Sequence, residues 1–167
     1  NAKINLDKTY AISLSGQPSS QWCTSLATYG IHSWYDRSSD SPLIYLGYPL
    51  SSTPRQRDHF FTAILQKVEK ACQLQWQRIL SVLGRATALN VLILSTLRHV
   101  LRVCPVPKSF MDRLRCLSHG FLTKGMFPRV LYHTRIQQRS HGGLAVLHPP
   151  AQALAWQLRW LQPLFDL

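Results

Sequence analysis

HFFTAILQKVEKACQLQWQRIL, residues 59–80, is the stretch that decides the fold. Phe60, Ile64, Val68 and Cys72 recur every four residues, and Trp76, Ile79, Leu80 and Leu83 continue the series. Apolar residues three and four apart share one face of an α-helix, so this spacing predicts a long amphipathic helix from His59. Lys67, Lys70 and Arg78 fall largely off its apolar face. Downstream, residues 86–103 predict a second helix with Leu89, Ile93, Leu97, Val100 and Leu101 inward, stopped by Pro105 and Pro107. Residues 108–124 predict a third, with Phe110, Leu114, Leu117 and Phe121 on one face. Within 127–139, residues 130–136 look β-like, and His141-Gly142-Gly143 reads as a turn. Pro149-Pro150 opens a last helix through Trp156 to Leu161.

Upstream of the long helix the pattern changes. TYAISL at 9–14 alternates β-formers with small residues and reads as a strand, followed by a loop at 15–20 with Gly16 and Pro18. Residues 31–35 read as a second strand, 36–42 as a polar turn, and 43–46 as a short β-rich run ending at Gly47, with Pro49 soon after. Residues 1–50 are therefore expected to form a small antiparallel β element. Residues 51–58, with Pro54, form a linker, 59–148 a basic helical domain, and 149–167 a C-terminal helix packing on it. The fold class is α+β, mostly α, with the β element followed by a bundle of three to four helices.

The chain has 167 residues, 46% of them hydrophobic, enough for one domain with a real core or a small domain plus an appendage. No charged segment precedes an apolar one at the start, so no signal peptide is expected. Cys23, Cys72, Cys104 and Cys116 lack any zinc-site spacing, and three fall on apolar helix faces. They read as buried reduced thiols of an intracellular protein. The uncharged run at 86–97 is closed by Arg85 and Arg98, shorter than the ~20 residues a membrane span needs. A core helix is expected there, and no membrane partner.

The net charge of +12 is concentrated in the middle of the chain. Residues 1–54 carry three basic and three acidic groups, and 140–167 carry Arg159 against Asp166. Residues 55–139 carry fifteen Lys or Arg against Asp58, Glu69 and Asp112. Such an excess implies a polyanionic partner, and guanidinium groups suit phosphates because each binds two oxygens at once. A basic surface kept for solubility is the plainer alternative.

Four segments, in order, carry a resemblance to the reverse transcriptases of non-LTR (LINE-type) retrotransposons. KINLDKT (3–9) resembles the motif that follows the catalytic aspartates at the edge of the palm. IYLG (44–47) resembles the primer-grip hairpin. LSVLGRATALN (80–90), with Trp76 before it, resembles the thumb, and HGGLAV (141–146) resembles the Gly-Gly-Leu signature that follows it. The resemblance covers nearly the whole chain. It implies a palm edge plus a thumb-like bundle, the aspartate pair being expected upstream of Lys3. It makes Lys8 a lysine near the incoming triphosphate, and Tyr45, Leu46 and Gly47 contacts to the primer end. It also implies an RNA–DNA or RNA duplex partner, the upstream palm and fingers of the same polypeptide, and a nuclear location for the parent element.

Residue chemistry fits that frame. Gly47 lets backbone approach a sugar-phosphate closely, and Tyr45 offers a stacking face; an ordinary strand pair with a Gly turn is the alternative. Gly84 and Arg85 stand between two helices, where helix amides and a guanidinium can meet a phosphate; a plain interhelical turn is the alternative. The expected nucleic-acid contacts are Tyr45, Leu46, Gly47, Lys67, Lys70, Arg78, Gly84 and Arg85. Of the five tryptophans, Trp76 and Trp156 lie on apolar faces and read as core. The seven histidines do not cluster in sequence, and the seven carboxylates form no Asp-Asp pair. Two-metal nucleotidyl transfer needs convergent carboxylates, so no metal or cofactor is expected in this chain, and Mg²⁺ belongs to the presumed full-length enzyme. The chain is thus expected to clamp a duplex and not to polymerise alone. A basic helical scaffolding protein and an inactive domesticated remnant are the alternatives.

Overall fold

The computed structural model describes residues 4–124 and 131–165, with the backbone alone for Trp160. The chain divides into two compact units, Asn1–Phe61 and Thr62–Leu167. The fold is α+β and mostly α, as the periodicity predicted.

The first unit contains two separate strand pairs. β1 (Ala11–Ile12) pairs with β2 (Trp34–Tyr35) in parallel, and β3 (Leu43–Tyr45) pairs with β4 (Tyr48–Leu50) antiparallel. The antiparallel expectation therefore holds for the hairpin and not for β1–β2. The reason is α1 (Ser20–Thr28), which the sequence reading did not contain. It carries the chain back so that β2 runs alongside β1, which a short hairpin loop could not do. Its sequence, SQWCTSLAT, has no charge and several weak helix formers, but Ser19 caps it by accepting from the Trp22 amide.

A buried polar hub replaces an apolar core in this unit. Asp36 Oδ2 accepts from the Trp34 indole at 2.8 Å, and Oδ1 accepts from the Ser38 amide and hydroxyl. Gln56, only 2% exposed, donates to the carbonyls of Asp36 and Ser39 and accepts from the Ser52 amide. The Ser38 hydroxyl, outweighing the opposing effect of burial together with the other donors, holds the Asp36 pKa below its ordinary value. Its stabilising effect is fully present above the ordinary aspartate range and drains away as pH falls through the lowered value.

α2 (Pro54–Trp76) begins inside the expected linker. Thr53 Oγ1 accepts from the Gln56 amide and Pro54 occupies the first helical position, a pairing that starts helices. The helix also ends earlier than its period suggested. Arg78 N donates to Gln75 O, Leu80 N donates to Arg78 O, and Ile79 is fully exposed.

In the second unit, α2 presents Ile64, Leu65, Val68 and Cys72 to the core. The expected second helix is a longer, composite one. It comprises α3 (Val82–Ala88), a π turn (Leu89–Ile93), a 3₁₀ segment (Leu94–Leu97) and α4 (Arg98–Val103). All five residues expected inward are buried. Val82–Val103 is long and apolar enough to cross a membrane by composition, yet these five residues lie at the centre of the core. α5 (Lys108–Thr123) buries Phe110, Leu114 and Phe121 as expected, while Leu117 is half-buried and Ser118 and Leu122 take inner places.

The β-like reading of 130–136 is corrected over its described part. α6 (Tyr132–Ile136) is a short helix, and Val130 lies outside the described residues. Its strand-like bonds run instead between neighbouring backbone segments: Leu144 N donates to Thr134 O, Val146 N to Arg135 O and Ala145 N to Gln137 O. α7 (Pro149–Phe165) closes the unit against α4 and α5, extending past Leu161 with Pro163 inside it.

Candidate nucleic-acid interface

The expected contacts divide between the units. Lys8, Tyr45, Leu46 and Gly47 belong to the first, and Lys67, Lys70, Arg78, Gly84 and Arg85 to the second.

Lys8 ends a 3₁₀ turn, Leu6–Lys8, closed by Thr9 Oγ1 donating to Asn5 O at 2.8 Å. Its side chain is exposed; Lys3 lies outside the described residues. Tyr45 and Tyr48 face each other across the β3–β4 hairpin, and Leu46-Gly47 forms its two-residue loop. Both loop residues have positive φ, +51° and +84°. That is the loop geometry whose twist matches the strands, and it normally selects Asn-Gly. Gly47 adopts it freely. Leu46 does not, because its Cβ crowds the backbone there. The hairpin projects Tyr45, 61% exposed, and Leu46, 77% exposed.

Lys67 and Lys70 are exposed on α2, one turn apart and away from the buried face. Arg78 is exposed in the short connection after the helix. Cys72, on the inner face, has its thiol pushed up to about 11 by burial and then by the Glu69 charge, so it stays protonated and unreactive.

Gly84 and Arg85 are placed differently from their expected interhelical turn. Ser81 caps α3, accepting from the Gly84 amide at 3.1 Å, so Gly84 lies in the first helical turn with its donor already engaged. Arg85 is turned inward. Its Nε donates to Leu80 O at 3.2 Å, and its Nη1 donates to Leu122 O at 3.4 Å and Lys124 O at 2.7 Å. Trp76 joins it at the end of α5: its indole donates to Phe121 O and stacks on the Phe121 ring at 6.2 Å. Lys124 Nζ lies 4.5 Å from the Trp76 ring centre. The C-terminal carbonyls of a helix lack intrahelical donors, and here a guanidinium and an indole supply them. Trp76 and Arg85, which the sequence linked by order, meet as a helix clamp.

Arg135 is a second inward cation. It is buried 6.0 Å from the Tyr132 ring centre, and burial draws its pKa down while raising that of Tyr132. Asn90 was missed by the sequence reading. From the π turn, its amide donates to Ala145 O and accepts from Leu147 N, at 2.9 and 3.0 Å. The Gly-Gly-Leu segment thereby gains a packing role. Gly142 turns at φ +79°, and a Cβ on Gly143 would stand 2.0 Å from Gln137 O. Gly142 needs glycine for its positive φ and Gly143 for its close approach to the Gln137 backbone, and a run of two glycines is the signal that could have said so.

The Mg²⁺ ions implied for a whole polymerase do not fit the residues present. Among the described residues no three His, Cys, Asp or Glu side chains converge. The buried Asp36 carboxylate is already held by Trp34 and Ser38. Comparison of the chain with protein-family models, curated proteins and solved structures finds no match.

Proposed function

We propose that the chain binds nucleic-acid duplexes through their phosphate backbone, the helical unit acting as the duplex clamp of a non-LTR-type reverse transcriptase. The observation that carries this reading is the charge of the second unit. Thr62–Leu167 holds fourteen Lys or Arg against three Asp or Glu, a net +11. Three carboxylates cannot neutralise fourteen cations, and only two of the cations discussed above, Arg85 and Arg135, are turned into the fold. Lys67, Lys70 and Arg78 remain at the surface for phosphates. The first unit adds an exposed, apolar hairpin tip with Tyr45 beside it. Backbone contacts of this kind hold register with little base preference.

The test is fluorescence anisotropy with a labelled RNA–DNA hybrid across a KCl series. If about six phosphates are contacted, log K falls against log salt with a slope of roughly −5. Replacing Lys67, Lys70 and Arg78 together by Ala makes that slope shallower by roughly one for each phosphate no longer held. Absence of binding at low salt, or binding indifferent to salt, overturns the reading in favour of a scaffolding protein.

A further inference from the structure

We propose that α7 presents an open helix-docking seam whose occupant is an amphipathic α-helix of a different polypeptide, apolar along one face and acidic on its flanks. The proposal is independent of nucleic-acid binding.

One side of α7 is used within the unit. Ala153 is buried, Trp156 lies beneath the Arg98 guanidinium at 5.8 Å, and Gln157 donates to the carbonyls of Leu101 and Cys104. A second apolar line lies beside it. Leu154, Leu158, Leu161 and Phe165 are each between 43 and 77% exposed. Their steps of four, three and four keep them on an arc roughly 60° wide, at 3.6 residues per turn. Singly exposed leucines are common on protein surfaces, but four large apolar side chains in one line mark a contact surface. Alternating steps of three and four are the spacing by which one helix sets its knobs into the holes of another. A membrane surface fits less well, because an interfacial helix carries a cationic polar face and α7 contributes Arg159 alone.

Charge selects among helical occupants. α7 contains no acidic residue, and its unit carries the net +11. Pairing two copies would bring two units of net +11 together, whereas carboxylates flanking a partner's apolar face would meet a unit of opposite net charge.

The probe is a labelled peptide with Leu at the two seam positions of each heptad, Glu at the flanking positions and Ala elsewhere. Its control has the same composition in an order that destroys the stripe. The chain should bind the striped peptide more tightly than the control by about tenfold or more. The double variant Leu158→Ser with Leu161→Ser should lose that preference while its thermal melt stays at the parent value, and Leu154→Gln alone should weaken it. Equal affinity for the two peptides would mean charge attraction alone and overturn the proposal, as would a well-folded double variant that keeps the preference. A concentration-dependent dimer of the chain alone, abolished by the same double variant, would assign the seam to a second copy and also overturn it.

Discussion

Arg85 donates to the carbonyls of Leu80, Leu122 and Lys124, so its positive charge serves the end of α5. Arg85→Ala leaves those acceptors without their donor and should lower the stability of the chain by about 1.5–3 kcal/mol, the range for hydrogen bonds to charged groups. Arg85→Lys should recover only part, because an ammonium lacks the planar fork. Arg78→Ala should do the reverse: a stability change below about 0.5 kcal/mol, with weaker duplex binding. Urea melts beside anisotropy titrations separate the two, and equal stability effects would sink the distinction. Leu46 supplies a second contrast. Held at φ +51° in a loop that prefers Asn, it should be improved upon by Leu46→Asn, which raises stability by about 0.5–1 kcal/mol. A lower unfolding midpoint for that variant would show that the exposed leucine makes an interaction worth more than the strain.

Helices and strands were legible where burial set the period. Leu89, Ile93, Leu97, Val100 and Leu101 were named from spacing alone and are all buried. Spacing failed where other forces acted. It ran α2 on to Leu83, because Ile79 and Leu80 keep the period although the chain has turned away at Gln77. It missed α1, whose stability rests on a cap and not on an apolar stripe. It read 130–136 as a strand from its β-branched and aromatic residues, whereas Tyr132–Ile136 coils and pairs its carbonyls with the Gly-Gly-Leu segment. The site was less legible still. An arginine beside a glycine looks the same in sequence whether it faces a phosphate or a helix end, and only tertiary contacts decide. The Gly-Gly-Leu segment gives the prediction at this scale. Gly143→Ala places a carbon against Gln137 O and should cost about 3 kcal/mol or more, at the upper end of overpacking. Gly142→Ala meets no atom within 4 Å and should cost less, through its positive φ alone. Equal losses for the two variants in a thermal melt would show that the close approach to Gln137 is not what holds that segment.

Across the whole molecule, apolar burial is uneven. The second unit buries leucines, isoleucines and phenylalanines from α2 to α5, whereas among the described residues of the first unit Phe61 is the one large apolar side chain fully buried. Local stability follows buried apolar contact, so the two units should not open together. Amides of β1, α1 and β3 should exchange with deuterium well before those of α5, and a single shared exchange free energy would refute that order. The boundary between the units lies within α2, which runs unbroken from Pro54 to Trp76. Protein units are commonly parted by an exposed linker that a protease can enter, and here none stands at the boundary. Brief tryptic digestion should therefore spare the middle of α2 and cut first after Arg78, in the exposed connection that follows it. The fragment released would carry all of the first unit with the whole of α2 attached, so the molecule comes apart at a seam different from the one its packing draws.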